Sequence, residues 1–267
     1  EVTIAVGGCG ANSASALVRL GVPAAFVGRL GADELGEMVE RTLAERGVEV
    51  WGVSRDPALR TTTSVVFVDP AGEKSILTAL GASLVFAAEH LDWERIAAHR
   101  LFFLSQFGYL GAFEAEAPAV LARARALGMP TALDMASDAS RPLAELLAPC
   151  LPLLDYFIPS YEDARLVTGL TEPAAMAERF HAAGVPVVAI KLGAVGAWVS
   201  VAGAGGAGGG RGPAKGGAAV EARRIPAYRV EARDATGAGD AWCGGFLAAI
   251  LEGADPFAAA RLGNAVG

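Results

Sequence analysis

Cysteine and histidine are scarce: three of each occur in 267 residues. Cys9, Cys150 and Cys243 lie far apart, and no CxxC or CxxH spacing exists. A zinc ribbon and a disulfide framework are therefore excluded, and the thiols read as free and buried in a reducing compartment, the cytoplasm. His90, His99 and His181 make no i, i+4 pair and no HExxH. They read as surface or helix-end residues rather than metal ligands. Basic charge is short as well, with 22 Lys and Arg against 29 Asp and Glu and a net charge of −7. A nucleic-acid partner would require a basic face to meet phosphates, so none is expected. No apolar run is a good membrane span. Leu192 to Gly210 carries no charge, but repeated glycine breaks it and destroys helix propensity. No signal peptide is visible at residue 1. The chain opens on EVTIAVGG, which reads as mid-strand, and closes on RLGNAVG, which reads as mid-helix, so both ends look trimmed.

What is present is a composition 53% hydrophobic, enough for one large domain over 1–267. VTIAVGG (2–8) reads as a strand running into glycines, Asn12 to Leu20 as a helix, and 24–31 as a buried strand and turn. Asp33 reads as the cap of a helix from Leu35 to Arg46, closed by Gly47. Residues 62–80 read as a hairpin, two β-branched runs around Asp69-Pro70-Ala71-Gly72. After it, strands at 100–106, 130–136, 155–160 and 186–193 alternate with helices at 113–127, 141–148, 161–168 and 173–183. Continuously apolar strands separated by helices predict a parallel sheet covered on both faces. Ligands of such sheets bind beyond the carboxyl ends of the strands, where Asp134, Ser160 and Gly193 fall. The glycine tract at 202–219 reads as a flexible surface loop, and the GxGxxG inside it as noise, because no helix follows. No GxxxxGK[ST] occurs anywhere.

Two glycine clusters carry the chemistry. In DATGAGDAWCGG (234–245), Thr236-Gly237-Ala238-Gly239 has almost no side-chain bulk, and Asp240 opens an apolar helix from Ala241 to Leu251. Amides there can converge on an anion, with the helix N-terminus adding to the same hole, which suits a phosphoryl group in transfer. Asp240 would then be the base for an attacking hydroxyl; the competing reading is an ordinary N-cap. Gly244 and Gly245 are poor helix formers and imply that another backbone or a ligand passes close. In GGCGAN (7–12), Gly7, Gly8 and Asn12 could hold a polyhydroxylated ligand. A tight turn with Asn12 as helix cap is an equal alternative.

At this point the chain resembles the ribokinase (PfkB) family of carbohydrate kinases. GGCGANSASALVRLG and GRLGADELG are similar to its N-terminal signature, and DATGAGDAWCGGFLAAI to its C-terminal one. PSYEDARLVTG and VVAIKLGAVGAWV resemble the segments between, in the right order over nearly the whole chain. The resemblance implies an α/β fold, a ribokinase-like three-layer α/β/α sandwich with a mostly parallel doubly wound sheet and a small β-sheet lid. Strands 2–8 and 62–80 would form that lid. It implies that Asp240 is the catalytic base, Gly237, Ala238 and Gly239 the anion hole, and Gly7, Gly8 and Asn12 sugar contacts. Lys191, Gly193, Gly196, Thr236 and Ser160 would line the nucleotide side, and Asp163 would organise Mg²⁺ through water. Implied cofactors are ATP and Mg²⁺, with a monovalent cation such as K⁺ as a further candidate.

Several positions depart from the family pattern. Ala235 follows Asp234 in place of the usual hydroxyl, and Ser160 and Asp163 stand for Asn and Glu. DMASDAS (134–140) lacks the Asn and Arg of the fructokinase version. An early strand with a substrate-binding Asp would precede residue 1. The leading expectation is an ATP-dependent kinase acting on a primary sugar hydroxyl, with a homodimer through the lid. The alternatives are a nucleoside kinase of the same family and a non-catalytic sugar- or nucleotide-binding relative. An NAD-binding dehydrogenase is disfavoured, since no GxGxxG follows the first strand.

Overall fold

Residues 3–68, 74–136, 138–203, 220–231 and 234–267 are described by the computed structural model. The expected strand over 2–8 does not form: residues 3–8 belong to no strand, and residue 2 lies outside the described residues. The reason is the lack of a neighbouring ladder; Ile4 is 72% exposed, so alternation alone has nothing to pair with. Helix α1 (Cys9–Arg19) starts three residues earlier than expected, because Gly8 takes a positive φ of 98° as its N-cap.

Strand β1 (Ala25–Gly31) pairs in parallel with β2 (Glu49–Asp56), a strand the sequence reading passed over. Between them lies α2 (Glu34–Glu45), whose cap Asp33 accepts from the Gly36 amide. Strands β3 (Thr63–Val68) and β4 (Lys74–Ala79) form the expected antiparallel hairpin, with Thr63 opposite Ala79 and Val66 opposite Ile76. Its tip, 69–73, lies outside the described residues, as do 204–219 of the glycine tract.

The chain then alternates as expected: α3 (Trp93–Ile96), β5 (Phe102–Phe107), α4 (Phe113–Ala126), β6 (Thr131–Met135), α5 (Leu143–Leu147) and β7 (Tyr156–Phe157). It continues through α6 (Tyr161–Thr168), α7 (Pro173–Ala182), β8 (Val187–Lys191), β9 (Ala197–Val201), β10 (Glu221–Ile225), α8 (Ala238–Leu251) and α9 (Pro256–Val266). Six strands make one sheet in the order β10-β9-β8-β7-β6-β5. The pairs β5–β6, β6–β7 and β7–β8 are parallel, and β9 and β10 are antiparallel additions at one edge.

Both faces of the central strands β6, β7 and β8 are buried, which is why these strands are largely apolar on both sides. Leu133, Phe157 and Val188 point into one core with Leu121, Leu147 and Phe180 from α4, α5 and α7. Their chain neighbours Ala132, Ile158 and Ala189 point into the other, with Phe246 and Leu247 from α8 and Phe257 and Ala260 from α9. This period of two across a central sheet is the three-layer α/β/α sandwich.

The two glycines of α8 serve helix packing. A Cβ on Gly244 would stand 2.6 Å from Ala16 Cβ and 3.0 Å from the Ser13 carbonyl oxygen of α1. A Cβ on Gly245 would stand 3.0 Å from the Leu262 carbonyl oxygen of α9. Helix α8 is thus wedged between two helices at close range, and it is backbone, rather than a ligand, that passes these two glycines.

Candidate active site

The carboxyl ends of β5, β6 and β8 meet the N-termini of α1 and α8. Asp240 lies in the first turn of α8, two residues inside the helix, which begins at Ala238 with Gly237 as N-cap. It is therefore not the cap. Its carboxylate accepts a hydrogen bond of 2.8 Å from Asn12 Nδ2, and its carbonyl accepts one of 2.9 Å from Ser13 Oγ. Burial, followed by the charge of the Asp240 carboxylate, pushes the Cys9 thiol well above its ordinary range. Asn12 sits in the helix rather than at its cap, so its amide is free to aim the acid.

The turn before Asp240 is held by Asp234, whose Oδ1 accepts from the Thr236 amide at 2.8 Å and from the Thr236 hydroxyl at 2.7 Å. Gly237 has φ 79°, a conformation that disfavours a Cβ. The Ala238 amide donates to the Ala235 carbonyl at 3.2 Å. Among the described residues, the amides of Gly237, Gly239 and Asp240 have no such acceptor. This corrects the expected membership of the anion hole: Ala238 is committed to a turn, and the open donors are 237, 239 and 240. They are the orphan amides of a helix N-terminus, where anions bind.

Directly behind lies a buried ion pair. Lys191 ends β8 and Asp134 lies near the end of β6, and Lys191 Nζ is 2.7 Å from Asp134 Oδ1. The side chains are 11% and 2% exposed. Cys243 of α8 lies 3.4 Å from Lys191 Nζ and 3.4 Å from Asp134 Oδ2. Burial works against the ammonium charge of Lys191, but the Asp134 carboxylate outweighs it and keeps the lysine protonated. That ammonium is 3.9 Å from where a Cβ on Gly239 would stand. Lys191 thus faces inward beneath the glycine turn rather than lining an open nucleotide groove. The pairing was missed because nothing local in the sequence joins residues 134 and 191; a charged residue closing each apolar strand was the only sign.

Ser160 and Asp163 lock each other in a capping box at the start of α6. The Ser160 amide donates to Asp163 Oδ2 at 2.9 Å, and the Asp163 amide donates to Ser160 Oγ at 3.1 Å. Ser160 also bridges to Lys191 through the backbone, so this corner belongs to the same strand ends. Gly193 is exposed, with open space where a Cβ would lie. Gly196 is buried, and its Cβ would stand 2.0 Å from the Ile225 carbonyl oxygen. It is glycine because β10 leaves past it, and its face has no room for a ligand. Gly7 and Gly8 are exposed at the mouth of α1 with nothing near them. A cavity of about 480 Å³ beside the turn is lined by Asn12, Arg19, Thr236 and Gly237.

The arrangement is an oriented carboxylate beside open amides with a buried cation behind. The model of the pfkB family carbohydrate kinases matches residues 1–267. The chain belongs to that family. Its protein is a carbohydrate kinase by membership. The ribokinase of Haemophilus influenzae is 30% identical over 98% of this chain and 79% of its own length. A structure of Arabidopsis thaliana ribokinase complexed with ribose and ATP superposes with a TM-score of 0.79 at 24% identity, covering 97% of this chain and 79% of that one. The adenosine kinase of Sinorhizobium meliloti superposes at 0.83 and 24% identity, covering 98% and 76%. Among the described residues, no helix is long and apolar enough to cross a membrane.

The other histidines find structural work. His90 Nε2 lies 2.5 Å from Arg29 Nη1, and His181 bridges the Val185 carbonyl and Ser200 Oγ at 2.7 Å each. His181 lies in the last turn of α7, the helix-end position expected of it, and its half-burial lowers its pKa.

Proposed function

We propose that this kinase transfers the terminal phosphoryl group of ATP to a hydroxyl, a primary one, of a sugar. The observation that carries the reading is the Asp240 carboxylate, aimed by Asn12 at 2.8 Å beside the open amides of residues 237, 239 and 240. Asp240 takes the proton from the acceptor hydroxyl as its oxygen bonds to phosphorus and the bond to ADP breaks. The open amides, with the α8 dipole and Lys191 behind Gly239, hold the charge that gathers on the phosphoryl oxygens. In this reading Gly8 and Asn12 border the sugar, and Gly193 and Thr236 border the nucleotide.

Among the described residues, no group of three or more His, Cys, Asp or Glu could hold a metal ion. That suits Mg²⁺ carried in on phosphates, since Mg²⁺ keeps its waters and takes one or two carboxylates. In this reading Asp163, at the start of α6, is the carboxylate that would meet it through water, and Mg²⁺ there would neutralise phosphate charge. A monovalent cation such as K⁺ near the Asp234 turn belongs to the same reading, and so does a cytoplasmic location.

The β3–β4 hairpin is the lid of this reading. Val65 and Leu77 oppose each other, as do Val66 and Ile76, so both faces of a two-stranded sheet are apolar. All four are exposed, Leu77 by 67%. Exposed apolar strands seek a partner, and a second copy's hairpin is the one proposed. The test of the activity is ADP release from ATP with D-ribose, D-fructose and adenosine as acceptors. Turnover with a sugar supports the reading, turnover with adenosine alone makes it a nucleoside kinase, and ligand binding without any turnover leaves a binding protein.

A further inference from the structure

Helix α8 has one large side chain near its start. Ala238, Gly239, Asp240 and Ala241 are small or polar, and Trp242 follows, 5% exposed. A helix holds its own start least, because the first amides find no carbonyl within the helix. The Trp242 indole is fixed from outside instead. Its plane lies flat on Phe246, with ring centroids 5.2 Å apart and 13° between the planes. It fills a slot along α9: a Cβ on Gly263 would stand 2.7 Å from Trp242 Cε2, and one on Gly267 would stand 3.0 Å from Trp242 Cβ. Its N–H donates to Asn264 Oδ1 at 2.7 Å. Asn264 spends the other half of its carboxamide on the end of β10, donating to the Ile225 carbonyl at 3.1 Å and the Pro226 carbonyl at 3.0 Å. The same two residues press on Gly196, where a Cβ would stand 2.0 Å from the Ile225 carbonyl oxygen and 2.8 Å from the Pro226 carbonyl carbon. One carboxamide therefore joins the start of α8 to the Gly193–Gly196 turn.

We infer that Trp242 is a positioning residue for phosphoryl transfer, clasped by Asn264 so that the start of α8 keeps one rotation. This rests on the kinase reading above. Trp242 touches neither reactant; it acts through the helix backbone that carries Asp240 two residues earlier. Asn12 aims the Asp240 carboxylate directly from the α1 side. Trp242 holds the peptide beneath it from the α9 side, in register with the turn that borders the nucleotide. A carboxylate that must meet a hydroxyl within hydrogen-bond reach gains from such bracing, since small misplacements of reacting groups cost rate. The clasp survives small shifts of α9. A Cβ on Gly245 would ask about 0.4 Å of it, and the 2.7 Å bond would then stay within range.

The experiment uses Trp242→Phe, Asn264→Ala and the double variant in the full chain, with ATP and with D-ribose, D-fructose and adenosine as acceptors. Phenylalanine keeps the stack on Phe246 and loses the N–H. Both single variants are expected to lower kcat about five- to tenfold and to keep KM for ATP and for the acceptor within about twofold. The double variant should lose no more than the worse single one, because both cut the same link. Melting separates positioning from stability. Asn264→Ala leaves the indole N–H without a partner and should melt about 2 to 10 °C lower; adding Trp242→Phe removes that orphan and should recover part of the loss without recovering kcat. A kcat within about twofold of wild type in both single variants overturns the role. Losses that add in the double variant, or a kcat that recovers together with the melting temperature, overturn it as well. A KM for ATP raised about tenfold with kcat kept also overturns it, because Asn264 would then act on the nucleotide itself. If wild type turns over no acceptor, the kinase reading fails, and hydrogen exchange of residues 238–246 still reads the clasp. Exchange about tenfold faster in both single variants then supports it, and unchanged exchange overturns it.

Discussion

Replacing Gly244 by alanine tests whether the α1–α8 seam positions the base. The added Cβ would stand 2.6 Å from Ala16 Cβ and 3.0 Å from the Ser13 carbonyl oxygen. Ordinary contact begins near 3.4 Å, so α1 must retreat by about 0.8 Å. Asn12 rides on that helix, and its 2.8 Å bond to Asp240 would stretch past the range of a hydrogen bond. A misplacement near 1 Å costs up to about 100-fold in rate, so kcat should fall about 10- to 100-fold. Overpacking costs about 1–3 kcal/mol, which for a chain of this size lowers the melting temperature by about 2–12 °C. Gly245→Ala is the control, since its Cβ would stand 3.0 Å from the Leu262 carbonyl oxygen on the α9 side. It should melt lower too but keep kcat within about threefold of wild type. A coupled assay for ADP and a thermal melt read both. Equal kcat in the two variants would refute the claim that this seam aims Asp240.

Other predictions follow from single groups. The Thr61 hydroxyl and amide, with the Gly36 amide, hold Asp33 down at about 2 against an ordinary 3.8. Its folded value is below its free value, so its stabilisation is full above about pH 4 and is lost as pH falls toward 2. Asp33→Asn should remove that part of the acid dependence, read as urea midpoints from pH 5 to pH 2. Lys191→Met leaves Asp134 buried without its counter-charge and should cost about 3–5 kcal/mol in denaturant unfolding. Adding Asp134→Leu should restore most of that stability without restoring turnover. Leu77→Lys with Val65→Lys should convert a dimer to monomers in sedimentation velocity, and an unchanged mass would remove the hairpin as the interface.

Much of this site could be read before the fold. Apolar runs at 131–135 and 187–191 announced strands buried on both faces, and they form the parallel sheet. Asp33 before a helix was legible because capping is local chemistry. Other features were hidden because they depend on partners distant in sequence. Residues 3–8 have strand character but no neighbour, whereas β2 carries Glu49, Arg55 and Asp56 and still pairs with β1. Gly8 and Gly237 hid the true starts of α1 and α8, since a glycine at positive φ can cap a helix without a side-chain signature. The glycine turn itself was legible, but which of its amides stay open was decided by a single turn bond from Ala238 to Ala235. The clasp of Asn264 on Trp242 left no trace at all, since only the packing of α9 on α8 brings the two together.

The most direct measurement is the single-turnover rate of Asp240→Asn against wild type at saturating ATP and sugar. The amide keeps the shape of the acid and removes its ability to take a proton. The account predicts a fall of about 10²- to 10⁴-fold with ATP affinity kept within about threefold. A variant that still transfers phosphate within tenfold of wild type would contradict it, because the proton would then leave by another route.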